Sequence, residues 1–129
     1  MIDADKVKRL TELCNKPVAL GGWLGLPYEK DGCLLFAVRF YRELGIYADV
    51  QAMREARHFK QVVDPQFADM AVFYNSPTLT WHVGVMLTQR IMIQCSPECI
   101  TNGVGKVPID LYPWAEHFRD FYRHKLLCS

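Results

Sequence analysis

Three short β-rich segments follow one another in the second half of the chain, and they constrain its fold more than any other feature. They cover residues 70–74, 81–87 and 90–95. The breaks between them contain Pro77 in one case and only Thr88 and Gln89 in the other. A parallel connection needs a crossover of about a dozen residues or more, so we expect adjacent antiparallel strands.

The flanking segments complete this pattern. Helical periodicity predicts helices at 3–14, starting at an aspartate, and at 31–44, ending at Gly45. The glycine- and proline-rich residues 17–28 predict a loop, and 49–60 a short helix. Further strands are expected at 104–109 and 121–126, with one helical turn at 113–118. Helices followed by strands predict a single α+β domain over residues 1–129, with the helices packed on a segregated antiparallel sheet.

Composition excludes several classes of function. The chain of 129 residues has 15 basic and 14 acidic side chains. This balance provides neither the basic surface that nucleic acid requires nor a polybasic membrane anchor. The N-terminus lacks the pattern of a signal peptide, and no apolar run is long enough to span a membrane. We therefore expect synthesis in the cytoplasm, no membrane insertion, and reduced forms of the five cysteines.

Cys33 is the first candidate for chemistry. It lies at the start of the second predicted helix, with Asp31 as the expected cap. Helix dipoles and unsatisfied N–H groups favour the thiolate at such a position, so we expect a lowered pKa for Cys33. The alternative is a small apolar residue packed in the first turn.

His82 is a candidate base for this nucleophile. Strand alternation places it on the face opposite Trp81 and Val83. Gln94 lies on the next strand and is a candidate for orienting the imidazole through its amide oxygen. The alternatives are a hydrogen-bonded structural histidine and a polar strand residue bonded to backbone.

Three blocks of sequence, in order, resemble the NlpC-type cell-wall endopeptidases, a papain-like cysteine peptidase family. The first block is Asp31-Gly32-Cys33 with Leu44-Gly45-Ile46, and the second is Ala68-Asp69 followed by His82-Val83-Gly84. The third block is Met92-Ile93-Gln94-Cys95-Ser96, and the upstream segment is Gly25-Leu26-Pro27-Tyr28. The resemblance covers roughly residues 25–96.

The resemblance implies catalytic roles for Cys33, His82 and Gln94. Tyr28 would support the oxyanion, and Trp81 and Asp31 are candidates for binding substrate, with core packing the alternative for the tryptophan. The implied reaction is hydrolysis of an amide bond in peptidoglycan stem peptides, often next to a D-amino acid and diaminopimelate. No cofactor is required.

The chain departs from the family pattern beside the nucleophile. Gly32 separates aspartate from cysteine, and Leu34-Leu35 replace the usual small residues. These departures leave two alternatives: a catalytically silent structural or binding domain, and an amidase or deamidase-type toxin that acts on another acyl substrate. A metal site at Cys95 and Cys99 is disfavoured because no second ligand pair has zinc-site spacing.

The expected site of action is the bacterial cell wall. Without a signal peptide, the chain would need a carrier, and the candidates are a phage tail, which would make it part of a virion, and a secretion machine. These proteins are the expected partners besides the peptidoglycan substrate.

Overall fold

The computed structural model describes residues 2–74, 80–97, 101–111 and 118–128, with the backbone alone at 80, 81 and 118. The helices are α1 Ala4–Asn15, α2 Gly32–Glu43 and α3 Val50–Arg54. The strands are β1 Phe59–Val62, β2 Met70–Tyr74, β3 Thr80–Met86, β4 Ile91–Ser96, β5 Gly103–Pro108 and β6 Phe118–His124. Short 3₁₀ helices cover Val18–Leu20 and Lys125–Leu127.

The first helix forms as its sequence predicts. Asp3 caps α1, because its carboxylate accepts a hydrogen bond from the backbone N–H of Asp5 at 2.8 Å. Leu10 and Cys14 lie one turn apart and are buried against the core. The expected turn at 113–118 lies almost entirely outside the described residues.

The strands form one antiparallel sheet in the order β1-β6-β2-β3-β4-β5. The predicted antiparallel neighbours β2, β3 and β4 are confirmed, as is the segregation of helices and strands. The sequence does not predict strand β1, because the pattern of residues 49–60 favours a short helix. Only Val50–Arg54 is helical there. The strand is four residues long with Lys60 and Gln61 exposed, and its partner β6 lies about 60 residues away, so local sequence carries little signal for it.

The main core lies between α2 and the sheet. Helix α2 packs against β3 and β4, and Phe40 and Tyr41 are fully buried in the interface. Trp23, from the loop before α2, makes an edge-to-face contact with Phe36 at 5.4 Å between ring centroids. A smaller apolar cluster covers the opposite face of the sheet and consists of Ala71, Phe73, Met86, Met92, Val107 and Ile109. The sheet is therefore apolar on both faces.

A buried ion pair joins the start of β2 to β6. Asp69 is fully buried, and its two carboxylate oxygens each accept a 2.8 Å hydrogen bond from the Arg123 guanidinium. The backbone N–H of Gln66 donates to the same carboxylate at 2.7 Å. Paired in this way, the charge of Asp69 is tolerated inside the protein. None of the helices in the described ranges is long and apolar enough to cross a membrane.

Candidate active site

The start of α2 has an unusual backbone. Asp31 is the residue before the helix and adopts a left-handed conformation with φ of 59°. A side-chain cap requires an extended backbone at this position, so the expected capping role of Asp31 is wrong. Its carboxylate instead accepts a hydrogen bond from Arg54 at 3.3 Å. The first N–H groups of α2 are therefore left uncapped by this carboxylate.

The thiol of Cys33 lies against backbone N–H groups. Those of Cys33 and Leu34 belong to the first turn of α2, and that of Val83 belongs to β3. These contacts lower the pKa of the thiol, but burial raises it more, so the net pKa of Cys33 is raised. The expected lowered pKa is wrong for the free protein, because burial outweighs the N–H groups at the helix start.

His82 lies on β3, directly before Val83, and its side chain is only 6% exposed. The imidazole contacts the ring of Phe73 on β2, at 6.1 Å between centroids. Burial lowers the pKa of His82 to about 3, while a side-chain hydrogen bond with Gln94 acts in the opposite direction. The imidazole is therefore neutral near pH 7, which is the form that a base requires.

Gln94 is fully buried on β4 and held by a polar network. Its side-chain Nε2 donates to the hydroxyl of Thr101 at 3.0 Å. That hydroxyl donates to the carbonyl of Gly103 at 2.6 Å and lies 2.7 Å from the Ser96 hydroxyl. With its nitrogen turned to Thr101, Gln94 has a buried amide oxygen that makes no other hydrogen bond among the described residues, so this oxygen can accept the imidazole N–H of His82.

Gly84 makes the approach between β3 and β4 possible. A Cβ added at Gly84 would lie 2.5 Å from Met92 Sδ and 3.3 Å from Gln94 Cβ. Any larger residue at position 84 would therefore press against Gln94, which contacts His82.

Tyr28 covers the start of α2. A Cβ added at Gly32 would lie 3.0 Å from the Cδ2 atom of the Tyr28 ring, so the glycine in front of Cys33 makes room for this tyrosine. Burial raises the pKa of Tyr28, and negative charge on Cys33, Cys95 or Asp31 raises it further. Tyr28 is therefore within electrostatic reach of the Cys33 thiol.

The two leucines that follow Cys33 have different environments. Leu34 is buried in the core, whereas Leu35 is 43% exposed. Leu35 lines an open pocket of about 110 Å³ at the start of α2. The other lining residues are Leu26, Pro27, Glu29, Gly32, Phe36, Arg39, Cys95 and Val104. Only one of the two leucines therefore alters the surface that a substrate meets.

The structure describes the side chains of all the predicted site residues except that of Trp81. Cys33, Tyr28 and Asp31 lie together at the start of α2, and His82 contacts Gln94 across β3 and β4. The backbone of Trp81 lies in β3, and its side chain is outside the described part of the chain.

Sequence reasoning missed Thr101, and it gave no role in this site to Ser96 or to the pocket residue Cys95. Ser96 and Thr101 meet in the connection between the consecutive strands β4 and β5, whose register the sequence does not give. Cys99 of the disfavoured metal site lies outside the described residues. Within the described ranges, no group of three or more His, Cys, Asp or Glu side chains is arranged to hold a metal ion.

Solved structures with the same fold support the architecture. An NlpC/P60 family protein from Bacillus cereus ATCC 10987 superposes with a TM-score of 0.74 and 18% identity, over 96% of this chain and 41% of that chain. A protein similar to a lipoprotein of the NLP/P60 family from Staphylococcus aureus subsp. aureus Mu50 gives 0.71 and 18%, over 95% of this chain and 42% of that chain. This chain thus spans less than half the length of both proteins.

A third structure matches over nearly its whole length. The NlpC/p60 domain of the peptidoglycan hydrolase SagA gives a TM-score of 0.58 and 17% identity, over 92% of both chains. Comparisons with protein-family models and with curated protein sequences give no match. The predicted NlpC-type, papain-like fold is therefore confirmed, through likeness of structure.

Proposed function

We propose that the chain is a cysteine hydrolase of the NlpC type that cleaves an amide bond in peptidoglycan stem peptides. The observation that carries the proposal is the position of the Cys33 thiol, which lies against the N–H of Val83, the residue after His82. Gln94 contacts the imidazole of His82 from the neighbouring strand. The likeness of fold to NlpC/P60 proteins, one of them a domain of a peptidoglycan hydrolase, supports the substrate class.

The mechanism follows from neutral starting groups. Cys33 and His82 are both uncharged near pH 7, because burial raises the pKa of the thiol and lowers that of the imidazole. His82 takes the thiol proton as sulfur attacks the amide carbonyl, and it then gives that proton to the departing amine. A thioester on Cys33 results, and water activated by His82 hydrolyses it to release the acid and restore the thiol.

Two donors are suited to the oxyanion that forms during attack. The backbone N–H of Cys33 lies in the first turn of α2, where the helix itself provides no acceptor for it. The hydroxyl of Tyr28 is the second candidate, since the tyrosine covers the adjacent Gly32. Gln94 holds the imidazole in one orientation, because its own amide is fixed by Thr101.

Digestion of purified peptidoglycan tests this proposal. Wild-type protein is expected to release new amino groups and shortened stem peptides, identified by mass spectrometry. Cys33→Ala is expected to abolish the products, and Cys128→Ala, which changes an exposed cysteine, to leave them unchanged. Absence of products with folded wild-type protein would contradict the proposal.

A second candidate function is hydrolysis or transfer at another acyl group, such as a protein glutamine or a lipid thioester. Exposed Leu35 favours it, because this side chain gives the pocket beside the nucleophile an apolar rim. Protein and thioester substrates, tested beside peptidoglycan with the same variants, distinguish the two functions. Delivery by a phage tail or a secretion machine remains a prediction, and mass spectrometry of purified virions tests the first route.

A further inference from the structure

The pocket beside the nucleophile has an apolar wall and two opposite charges. Leu26, Phe36 and Val104 contribute apolar surface, while Glu29 and Arg39 are exposed at its margin. In the described part of the chain, neither charged side chain has an ion-pair partner. The pocket therefore offers both charges to a ligand.

The two charges lie at different distances from Cys33. Gly32 and Cys95 mark the end of the pocket next to the nucleophile, because a Cβ at Gly32 would lie 3.5 Å from the Cys95 sulfur. The backbone N–H of Gly32 donates a 2.7 Å hydrogen bond to the carbonyl of Glu29, which places Glu29 near the same end. Arg39 is six positions after Cys33 in α2, roughly 9 Å further along the helix axis at 1.5 Å per residue.

A carboxylate that enters the pocket would meet the guanidinium of Arg39, which lines it. Guanidinium groups bind carboxylates through two parallel hydrogen bonds. Glu29 would repel a carboxylate at the near end, which fixes the direction in which the segment lies.

We propose that this pocket selects substrates whose leaving group ends in a free carboxylate, with Arg39 binding that carboxylate. The selectivity rests on the proposed hydrolase function, since it concerns the leaving group of that reaction. Stem peptides with a free terminus would then be better substrates than those whose terminus is joined to another chain.

Binding and hydrolysis are measured separately with one pair of probes. The probes are stem peptides with a free terminal carboxylate or with the corresponding carboxamide, identical at every other position. Binding is measured by calorimetry on Cys33→Ala protein, alone and combined with Arg39→Gln or with Arg90→Gln. Arg90 is an exposed arginine at the turn between β3 and β4 and serves as the matched control.

We expect the carboxylate form to bind at least about 10-fold more tightly than the carboxamide, as charge-assisted hydrogen bonds are stronger than neutral ones. Arg39→Gln should remove this preference and Arg90→Gln should keep it. Equal affinity for the two probes, no measurable binding of either, or an unchanged preference in Arg39→Gln would each overturn the inference. If Cys33→Ala binds with the expected preference but wild type hydrolyses neither probe, the pocket assignment stands and the hydrolase function fails.

Discussion

At the scale of single residues, burial acts on Cys33 and His82 in opposite directions. It raises the pKa of the thiol and lowers that of the imidazole to about 3. Both changes favour the uncharged forms, so the two groups are neutral in the free protein. In the proposed mechanism, a neutral pair requires that the proton leaves sulfur during attack on the substrate, with His82 as the general base.

Alkylation of the free protein tests this charge state. Because burial raises the pKa of Cys33, iodoacetamide at pH 7 should modify it no faster than the exposed Cys128. His82→Ala should leave this slow alkylation unchanged while lowering hydrolysis by about 10²–10⁴-fold. Peptide mass spectrometry after timed quenching gives both rates. Rapid alkylation of Cys33 near pH 6, lost in His82→Ala, would indicate a resting thiolate–imidazolium pair.

The lowered pKa of His82 also predicts how stability depends on pH. Between pH 3 and pH 6.5 the unfolded chain binds a proton that the folded state excludes, so stability falls as the solution is acidified through this range. One such proton costs about 1.4 kcal/mol per pH unit, or roughly 2 kcal/mol between pH 6.5 and pH 5. Urea unfolding at the two pH values should show this loss in wild type and a smaller loss in His82→Gln. Parallel pH dependence in both proteins would mean that His82 is readily protonated.

Sequence patterns identify part of this site and miss the rest for physical reasons. The positions of Cys33, His82 and Gln94 follow from a helix start and two neighbouring strands, which local periodicity predicts. The absence of a cap at Asp31 could not be predicted, because the residue type does not reveal that Asp31 has a positive φ angle. Thr101 contacts Gln94 through the turn between the consecutive strands β4 and β5, and its hydroxyl could not be assigned to Gln94 from side-chain type alone.

At the scale of elements, the β3–β4 pair holds His82 and Gln94 in contact. The register sets Val85 opposite Ile93 and Met86 opposite Met92, and Gly84 allows close approach next to Gln94. These strands were predicted correctly from alternation and short turns. β1 was missed because the strand it pairs with, β6, is distant in sequence.

Gly84→Ala tests the close approach. The added methyl group would meet Met92 Sδ, which can move, and Gln94 Cβ, which is fixed by its strand. We expect a stability loss of about 1–3 kcal/mol from overpacking, together with at least a 10-fold fall in kcat/KM. Urea denaturation and a peptide assay measure the two effects. Full activity in the variant would show that the position of Gln94 is not critical.

The ion pair between Asp69 and Arg123 gives a prediction for the attachment of β6. Arg123→Leu leaves the carboxylate buried without its counter-ion, so we expect a loss of about 3–5 kcal/mol in the free energy of unfolding. Adding Asp69→Asn should restore part of that loss, because the uncompensated charge is gone. Denaturant titration of the single and double variants checks this. If the double variant were less stable than Arg123→Leu, burial of an uncompensated charge would not be the cause of the loss.

At the scale of the whole molecule, one sheet carries apolar clusters on both faces. Helix α2 packs in the larger cluster and carries Cys33 in its first turn. We therefore expect the chain to unfold as one cooperative domain, although the Bacillus cereus and Staphylococcus aureus proteins with this fold are more than twice as long. Far-UV circular dichroism, which reports the secondary structure, and the fluorescence of the three tryptophans, which reports tertiary packing, should give coincident urea transitions. Separate midpoints would show that the chain does not unfold as one cooperative domain.

The central claim is that Cys33 carries the acyl group of a stem peptide during the reaction. The direct measurement is acid quenching of wild-type protein within the first turnover on stem peptides, followed by mass spectrometry of the tryptic peptide 31–39. The account predicts that this peptide gains the mass of the acyl fragment through a thioester, and that Cys33→Ala neither gains it nor releases product. Product release by Cys33→Ala, or an acyl adduct on another cysteine, would contradict the account.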